Sequence, residues 1–387
     1  MSDHPTPSAP PAPTAATRSG ASSSDERVRA ALSLLESGGV EGLAEAPSDL
    51  KGLPAYEAFL ERSWNLRNDD PDEMVRLAMF ATLVAGKLDP GTHGAQQVKD
   101  LQCRAWAALG NAYRVADDLD AADFALGRAA ELYLEGTKDE LLGARLFDLQ
   151  ASLYGARRSF AATLQTLDVV HELYVRHGDL HLAGRALIKK GIYSGLANNA
   201  EEAIRLLRRG LEMIDAEREP QLALSAVHNI AFFLLGCGKF REARSLVWQN
   251  LPLYDAHGGQ LHRIKLQGLR GLICAGLGEL DRAEEYLVAA RRGFEEAGVR
   301  YHAAIAGLDL AVVWLRQGRR EEARDLVLES VRVFLELRIH REALAAVLVL
   351  QRAFEKGLQA DALLDKAREF LRRIEQDPAL TFESFFL

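Results

Sequence analysis

The sequence predicts an all-α fold, a right-handed α-solenoid built from antiparallel helix pairs. Three observations lead to this prediction. Hydrophobic residues make up 48% of the 387 residues, and the helix-favouring residues Ala, Leu, Arg and Glu dominate the composition. Pro is scarce, with 12 residues that fall largely in the N-terminal segment and at a few joints. From about residue 96, a pattern of small residues recurs about every 40 residues, as in repeat proteins.

The N-terminal part of the chain differs in composition from the rest. Residues 1–25 are rich in Pro, Ala, Ser and Thr, and they predict a disordered tail because they bury too little apolar surface to offset the entropy of ordering. Residues 26–95 predict divergent helices. Asp70 before Pro71 is a typical helix start, since Asp caps the helix and Pro occupies a position whose N–H is not needed. The clearest helical pair in this segment spans 54–67 and 71–87.

The repeat array spans residues 96–376, and residues 377–387 follow it as a tail or cap. One small residue recurs in the first helix of each unit and another recurs in the second, with a step of 41 residues followed by steps of 40. Small residues at these positions let two antiparallel helices approach closely. The first-helix positions are Gly110, Ala151, Gly191, Ala231, Gly271 and Ala311; the second-helix positions are Ala122, Thr163, Ala203, Ala243, Ala283, Ala323 and, more weakly, Leu363.

The first unit carries the most specific motif. Trp106, Leu109, Gly110, Tyr113 and Ala122 match the W-x2-L-G-x2-Y…A pattern. The array therefore resembles the tetratricopeptide repeat (TPR) family, in a long-period bacterial form with about 40 residues per unit instead of about 34. Later units have Leu, Val or Cys at the aromatic positions. The resemblance implies a solenoid whose first helices line a groove for a protein or peptide, as in bacterial peptide-sensing regulators and signalling proteins.

No catalytic, metal or cofactor site emerges from the sequence. His171 and Glu172 begin like a metalloprotease helix, but His177 follows six residues after the first His instead of four, so the two rings point to different faces. The Gly-rich stretch 236–239 ends in Lys but lacks the spacing of a phosphate loop, and it predicts a tight turn inside a repeat. The cysteines show no paired spacing: Cys103, Cys237 and Cys274. We therefore expect a protein that is not an enzyme.

Charge and hydropathy restrict the partners. The net charge is −8, and Lys and Arg are scattered through the helices, which argues against nucleic acid because that partner requires a basic face. No apolar run approaches the length that spans a membrane. The N-terminus lacks the pattern of a secretory signal. We expect a cytoplasmic protein that binds neither membrane nor nucleic acid.

The resemblance to the TPR family also indicates which residues would face the groove. Arg104, Arg145 and Arg185 occupy one position in three successive units, with Lys265 two units further, and would form a basic ladder. Arg suits bidentate recognition, so the expected partner is a protein or peptide with acidic or C-terminal carboxylate groups. The alternative is that these arginines pair with carboxylates on neighbouring helices. The candidate groove residues are Arg104, Asn111, Arg145, Arg185, Lys189, His228, Asn229 and Lys265.

Two further features complete the candidate groove. Asn111 and Asn229 could clamp an extended peptide, since an amide both donates and accepts hydrogen bonds. From the fifth unit onwards the groove positions become apolar, which would suit a ligand with one acidic and one hydrophobic part. These apolar positions are Leu269, Leu272, Ile305, Leu308 and Val312.

The last residues, TFESFFL, carry apolar side chains that are unfavourable when left bare in water. They therefore predict either a cap on the last repeat, which we favour, or a docking tail. Together these features predict a scaffold or adaptor in bacterial signalling or complex assembly. The alternative is a peptide-sensing regulator that changes shape on ligand binding and controls a partner protein. A homo-oligomeric structural part ranks last, because the outer helices are rich in Glu and Arg. The docking-tail residues are Phe382, Phe385, Phe386 and Leu387.

Overall fold

The structure is a computed structural model that describes residues 33, 52–67 and 69–337. Every regular element in this part of the chain is a helix. The predicted all-α class is therefore confirmed for these residues. The predicted disordered tail, the seventh small position Leu363 and the docking tail Phe382, Phe385, Phe386 and Leu387 lie outside the described residues.

The described residues divide into two compact units, with the division between Leu187 and Ile188. We call residues 52–187 the N-terminal unit and residues 188–337 the C-terminal unit, and each is described by itself. The division falls within one helix, α8 (Leu180–Leu196). The other helices of the N-terminal unit are α1 (Leu53–Asn65), α2 (Pro71–Gly86), α3 (Pro90–His93), α4 (Ala95–Val115), α5 (Leu119–Glu135), α6 (Glu140–Ala156) and α7 (Phe160–Arg176).

The C-terminal unit continues the same alternation of first and second helices. The second helix that follows α10 is broken, because Pro252 lacks the N–H that a continuous helix would need. The Asn250 side chain donates to the Leu246 carbonyl at 2.8 Å beside this break. The helices are α9 (Ala200–Met213), α10 (Pro220–Gly236), α11 (Phe240–Gln249), α12 (Leu251–His257), α13 (Gln260–Leu277), α14 (Leu280–Glu296), α15 (Arg300–Arg316) and α16 (Arg320–Glu336).

Side-chain caps fix where several of these helices begin. Helix α2 begins at Pro71, and the Asp70 carboxylate accepts a hydrogen bond from the Glu73 backbone N–H at 3.0 Å. This confirms the predicted helix start. Asp118 and Asp139 cap α5 and α6 in the same way. Each cap satisfies a backbone donor that would otherwise have no partner in the first turn.

The two helices of a pair approach closely at the small residue of the first helix. A Cβ built on Gly271 would lie 2.6 Å from Leu287 Cγ, and one on Gly110 would lie 2.7 Å from Leu126 Cγ. Where Ala replaces Gly at this position, the residue on the facing helix is often smaller. The equivalent pairs in chain order are Gly110/Leu126, Ala151/Leu167, Gly191/Leu207, Ala231/Val247, Gly271/Leu287 and Ala311/Val327. Their total volume is therefore nearly conserved in five of the six pairs.

In each of the six pairs from α4/α5 onwards, the turn between the two helices contains one residue with positive φ. The last three of these residues are glycines, which adopt this conformation without strain. The stretch 236–239 belongs to this series, since α10 ends at Gly236 and α11 begins at Phe240, which confirms the predicted tight turn. In chain order the residues are Asp117, Arg158, Asn198, Gly238, Gly278 and Gly318.

A polar network ties α14 to α15 in the C-terminal unit. The Glu284 carboxylate accepts hydrogen bonds from Trp314 Nε1 at 2.7 Å, Arg319 Nη1 at 2.6 Å and Gln317 Nε2 at 3.1 Å. The Arg319 guanidinium also lies over the Trp314 ring, 4.6 Å from its centroid. Burial alone would raise the pKa of Glu284, but these hydrogen bonds hold it below its usual value.

The Gly271→Ala variant tests the close approach within a helix pair. Ala would by itself favour the helix by about 1 kcal/mol. Its Cβ would, however, meet Leu287 Cγ at 2.6 Å, and overpacking of this kind costs about 1–3 kcal/mol. We expect a net fall in the free energy of unfolding, measured by urea denaturation followed by circular dichroism.

The matched control is the double variant Gly271→Ala/Leu287→Val, which recreates the pair found at Ala231 and Val247. The smaller Val makes room for the new methyl group, so the two substitutions should not be additive. The double variant is expected to be more stable than Gly271→Ala alone. An additive loss would contradict the proposed volume compensation.

The Glu284→Gln variant tests the polar network through pH. Because the folded-state pKa of Glu284 is lowered, its ionised form stabilises the fold above the unfolded-state pKa, and this stabilisation is lost as pH falls through the folded-state value. We expect Glu284→Gln to lower the free energy of unfolding near neutral pH and to flatten its decline in acid. Equal acid dependence of the two proteins in urea denaturation would refute this role.

Candidate functional site

The first helices of successive pairs lie side by side within each unit. In the N-terminal unit α4 packs beside α1 and α6, and in the C-terminal unit α13 packs beside α10 and α15. Residues 40 or 41 positions apart therefore form rows across neighbouring first helices. We call these rows, within each unit, the first-helix face.

Arg104 already holds a carboxylate of the chain itself. Its Nη1 and Nη2 donate to Glu57 Oε1 and Oε2, both at 2.7 Å. Its guanidinium also lies 5.7 Å from the centroid of the Tyr56 ring. This bidentate arrangement is the alternative that the sequence left open, an arginine paired with a neighbouring helix. Arg104 is therefore not an open member of the predicted basic ladder.

Asn111 does not offer its amide to a groove. The residue is 3% exposed, and its Oδ1 accepts hydrogen bonds from Arg114 Nη2 at 3.1 Å and Nε at 3.3 Å. The predicted peptide clamp would need an exposed amide at this position. The structure therefore does not support the predicted clamp at Asn111.

Arg145 and Arg185 have opposite exposures although they occupy equivalent positions. Arg185 is 8% exposed, whereas Arg145 is exposed on α6. Among the described residues, no carboxylate lies within ion-pair distance of Arg145. Arg145 is thus the arginine of the ladder that an external anion could reach most easily.

Tyr174 lies near the C-terminal end of α7, at the same end of the helix pair as Arg145. Burial raises its pKa well above the usual value; Asp148 raises it further, and Arg145 and Arg185 act in the opposite direction. The phenol therefore stays protonated at neutral pH and can donate a hydrogen bond. The sequence analysis did not identify Tyr174, because the repeat was recognised from its small residues alone.

Tyr174 belongs to a column of large residues that follows the same period. Each member lies eleven residues after the small residue of its second helix, and five of the six are buried. The same period reveals this column when the large residues of successive units are aligned. Its members are Tyr133, Tyr174, Ile214, Tyr254, Phe294 and Phe334.

The predicted polar residues of the C-terminal unit differ in accessibility. Lys189 is buried. His228 Nδ1 lies 3.1 Å from the Tyr254 hydroxyl, within hydrogen-bond distance. Asn229 donates to the Ser225 carbonyl at 2.8 Å, and Lys265 is half-buried. These residues are thus engaged with the fold to a greater degree than the groove prediction assumed.

An apolar strip crosses the first-helix face of the C-terminal unit. Phe232 on α10 is 45% exposed, and its ring packs edge-on against Phe233. Leu272 on α13 and Val312 on α15 are half-buried at the equivalent positions. We call Phe232, Leu272 and Val312 the apolar strip. Apolar side chains aligned on a surface in this way favour binding of another apolar group.

The described residues hold little that could serve a metal or a reactive thiol. Over residues 52–67 and 69–337, no three His, Cys, Asp or Glu side chains come together as a possible metal site. His171 contacts the Ala183 carbonyl and His177 contacts Glu140, so the two rings have separate partners. Burial raises the pKa of the Cys103 thiol to about 12, which keeps it protonated. No described helix has the length and apolar character needed to cross a bilayer.

No protein-family model and no curated protein matches the chain. Solved structures do match it. Aspartyl phosphate phosphatase F from Bacillus subtilis is 14% identical, with a TM-score of 0.58 over 80% of this chain and 84% of that one. A Rap protein complexed with Competence and Sporulation Factor is 13% identical, with a TM-score of 0.59 over 85% and 94%. NprR in complex with its cognate peptide NprX is 13% identical, with a TM-score of 0.56 over 85% and 96%.

At these identities the likeness concerns the fold. The chain shares the TPR-type helical repeat fold of these proteins. The solenoid class predicted from the repeat is therefore confirmed.

The Tyr254→Phe variant tests whether the hydroxyl of this tyrosine stabilises the fold. It removes the hydroxyl that contacts His228, and losing a hydrogen bond of this kind costs about 1 kcal/mol. The same change at Tyr174 removes no internal hydrogen bond among the described residues, so its effect on stability should be close to zero. Urea denaturation of both variants checks this difference, and equal losses would contradict it.

Proposed function

We propose that this chain is a non-enzymatic protein that binds a protein or peptide segment on its first-helix face, as a scaffold or adaptor. The apolar strip carries the proposal. Phe232, Leu272 and Val312 occupy equivalent positions on three neighbouring first helices, yet none of the three is buried. A partner that covered them would remove apolar surface from water, which is the main source of binding free energy in such interfaces.

The period of the repeat supports a more specific class. The buried small residues recur every 40 residues through the second helices of the C-terminal unit, from Ala203 to Ala323. We assign the chain to long-period bacterial TPR-like proteins, with residues 96–376 as the array after divergent helices in 26–95. Its setting would be signalling or complex assembly in the bacterial cytoplasm.

The partner would carry acidic groups as well as apolar ones. Arg145 is exposed and lacks a carboxylate within ion-pair distance among the described residues. Arginine recognises carboxylates by parallel hydrogen bonds, as Arg104 does with Glu57. Acidic side chains or a C-terminal carboxylate would suit this position, whereas the net charge of −8 disfavours nucleic acid.

The second candidate is a peptide-sensing regulator that changes shape on binding and controls a partner protein. The similarity to NprR, which was solved with its cognate peptide NprX, supports this candidate. Scattering measured with and without a bound peptide separates the two functions. A changed radius of gyration favours the sensor, and an unchanged one favours the scaffold.

The Phe232→Asp variant tests the proposed binding face. A charge placed in the apolar strip would have to be desolvated beneath a partner, so capture of partners from a bacterial lysate by the immobilised full chain should fall about tenfold or more. The matched control is Phe124→Asp, because Phe124 is an exposed Phe on the second helix α5. Loss of capture with Phe124→Asp but not with Phe232→Asp would contradict the first-helix face.

A further inference from the structure

The arginine column of the N-terminal unit has one open member. Arg104 is occupied by the Glu57 carboxylate. Arg185 is largely buried and has contacts of its own. Arg145 is exposed, and the described residues place no carboxylate within ion-pair distance of it. Arginines at equivalent positions of the repeat thus differ in whether a carboxylate of the chain pairs with them.

The tyrosines of the large-residue column show the same difference. The Tyr133 hydroxyl donates to the Lys138 carbonyl at 3.3 Å, and the Tyr254 hydroxyl pairs with His228 at 3.1 Å. The Tyr174 hydroxyl has no hydrogen-bond partner among the described residues, although the residue is only 5% exposed. The oxygen itself is not among the fully buried side-chain atoms that lack a partner, so it reaches solvent and can donate to a ligand.

Both open groups belong to the same helix pair. Helices α6 and α7 run antiparallel through the turn at 157–159, which brings the first turns of α6 beside the last turns of α7. Arg145 and Tyr174 therefore lie at the same end of the pair, and the charge of Arg145 acts on the Tyr174 phenol. One helix pair thus combines an unpaired cation with an unpaired hydroxyl donor.

We propose that Arg145 and Tyr174 form a recognition site for a carboxylate side chain of an acidic peptide, an inference that rests on the proposed function. The guanidinium supplies the charge and two donors, and the phenol supplies a third. The bidentate contact between Arg104 and Glu57 is the internal example of this chemistry in the neighbouring helix pair.

The charge around the site favours a carboxylate over a phosphate. The charged groups that act on Tyr174 are Arg145, Arg185, Asp148 and Asp179, two cations and two anions. A carboxylate adds one negative charge beside Arg145. A phosphate adds nearly two, so Arg145 alone would leave one charge unbalanced while Asp148 and Asp179 repel both.

A random-peptide phage library panned on the immobilised full chain tests the site. The peptides selected by the wild-type protein should be enriched in Asp and Glu, and Arg145→Glu should abolish this enrichment. Arg209→Glu is the matched control, because Arg209 on α9 is exposed and the described residues place no carboxylate within ion-pair distance of it. This control should leave the enrichment intact.

The hydroxyl is tested with one acidic peptide selected by the wild-type protein. Tyr174→Phe keeps the buried ring and should weaken the affinity for this peptide about tenfold, measured by fluorescence anisotropy. Tyr254→Phe, the same change in the same column, should leave the affinity unchanged. Equal affinities of the Tyr174→Phe variant and the wild-type protein would overturn the role of this hydroxyl.

The outcomes separate the inference from the proposed function. If the wild-type protein selects peptides without acidic enrichment, or if Arg145→Glu keeps the enrichment, the carboxylate site is wrong while peptide binding stands. If inorganic phosphate at low millimolar concentration displaces the peptide, the site is a general anion site and the inference fails. If the wild-type protein selects no peptide, the proposed function fails together with the inference.

Discussion

The close approach of the two helices within each pair is the constraint on which the rest of the structure depends. A Gly facing Leu, as at Gly271 and Leu287, leaves no room for another methyl group, and the pair Ala311 and Val327 reaches a similar volume by another route. Helices held at one separation repeat the same turn and the same column of large residues. This packing explains why small residues recur about every 40 positions in the sequence.

Features governed by packing volume could be predicted from sequence, whereas features governed by backbone strain could be predicted only in part. Small residues stand out in any alignment of the units, so the helix pairs and the solenoid class follow from them. The turns were predictable where Gly marks the positive φ, as at Gly238. Asp117, Arg158 and Asn198 adopt the same conformation without that marker. Asp and Asn tolerate positive φ better than other non-Gly residues, whereas the residue type of Arg158 gives no indication of it.

The candidate site was predictable as a row of positions but not as a set of accessible groups. Arg104, Arg145 and Arg185 share one position, yet their states depend on residues that the repeat does not conserve. Arg104 is paired because Glu57 lies 47 positions earlier on α1. Asn111 is buried, and its amide oxygen accepts hydrogen bonds from Arg114, one turn later. Such partners differ from one unit to the next, so comparing equivalent positions of the repeat does not reveal them.

Differences in internal pairing therefore say more about binding than residue type does in this fold. A repeat protein offers each unit the same backbone geometry, and its stability comes from contacts inside units and between neighbours. Where a polar side chain has a hydrogen-bond partner within the chain, as Tyr254 has in His228, the position contributes to stability. Where the described residues leave a cation and a hydroxyl without such partners, as at Arg145 and Tyr174, the same geometry is available to another molecule. The same fold thus serves both stability and binding. Whether the polar side chains of a unit have partners within the chain decides which of the two that unit serves.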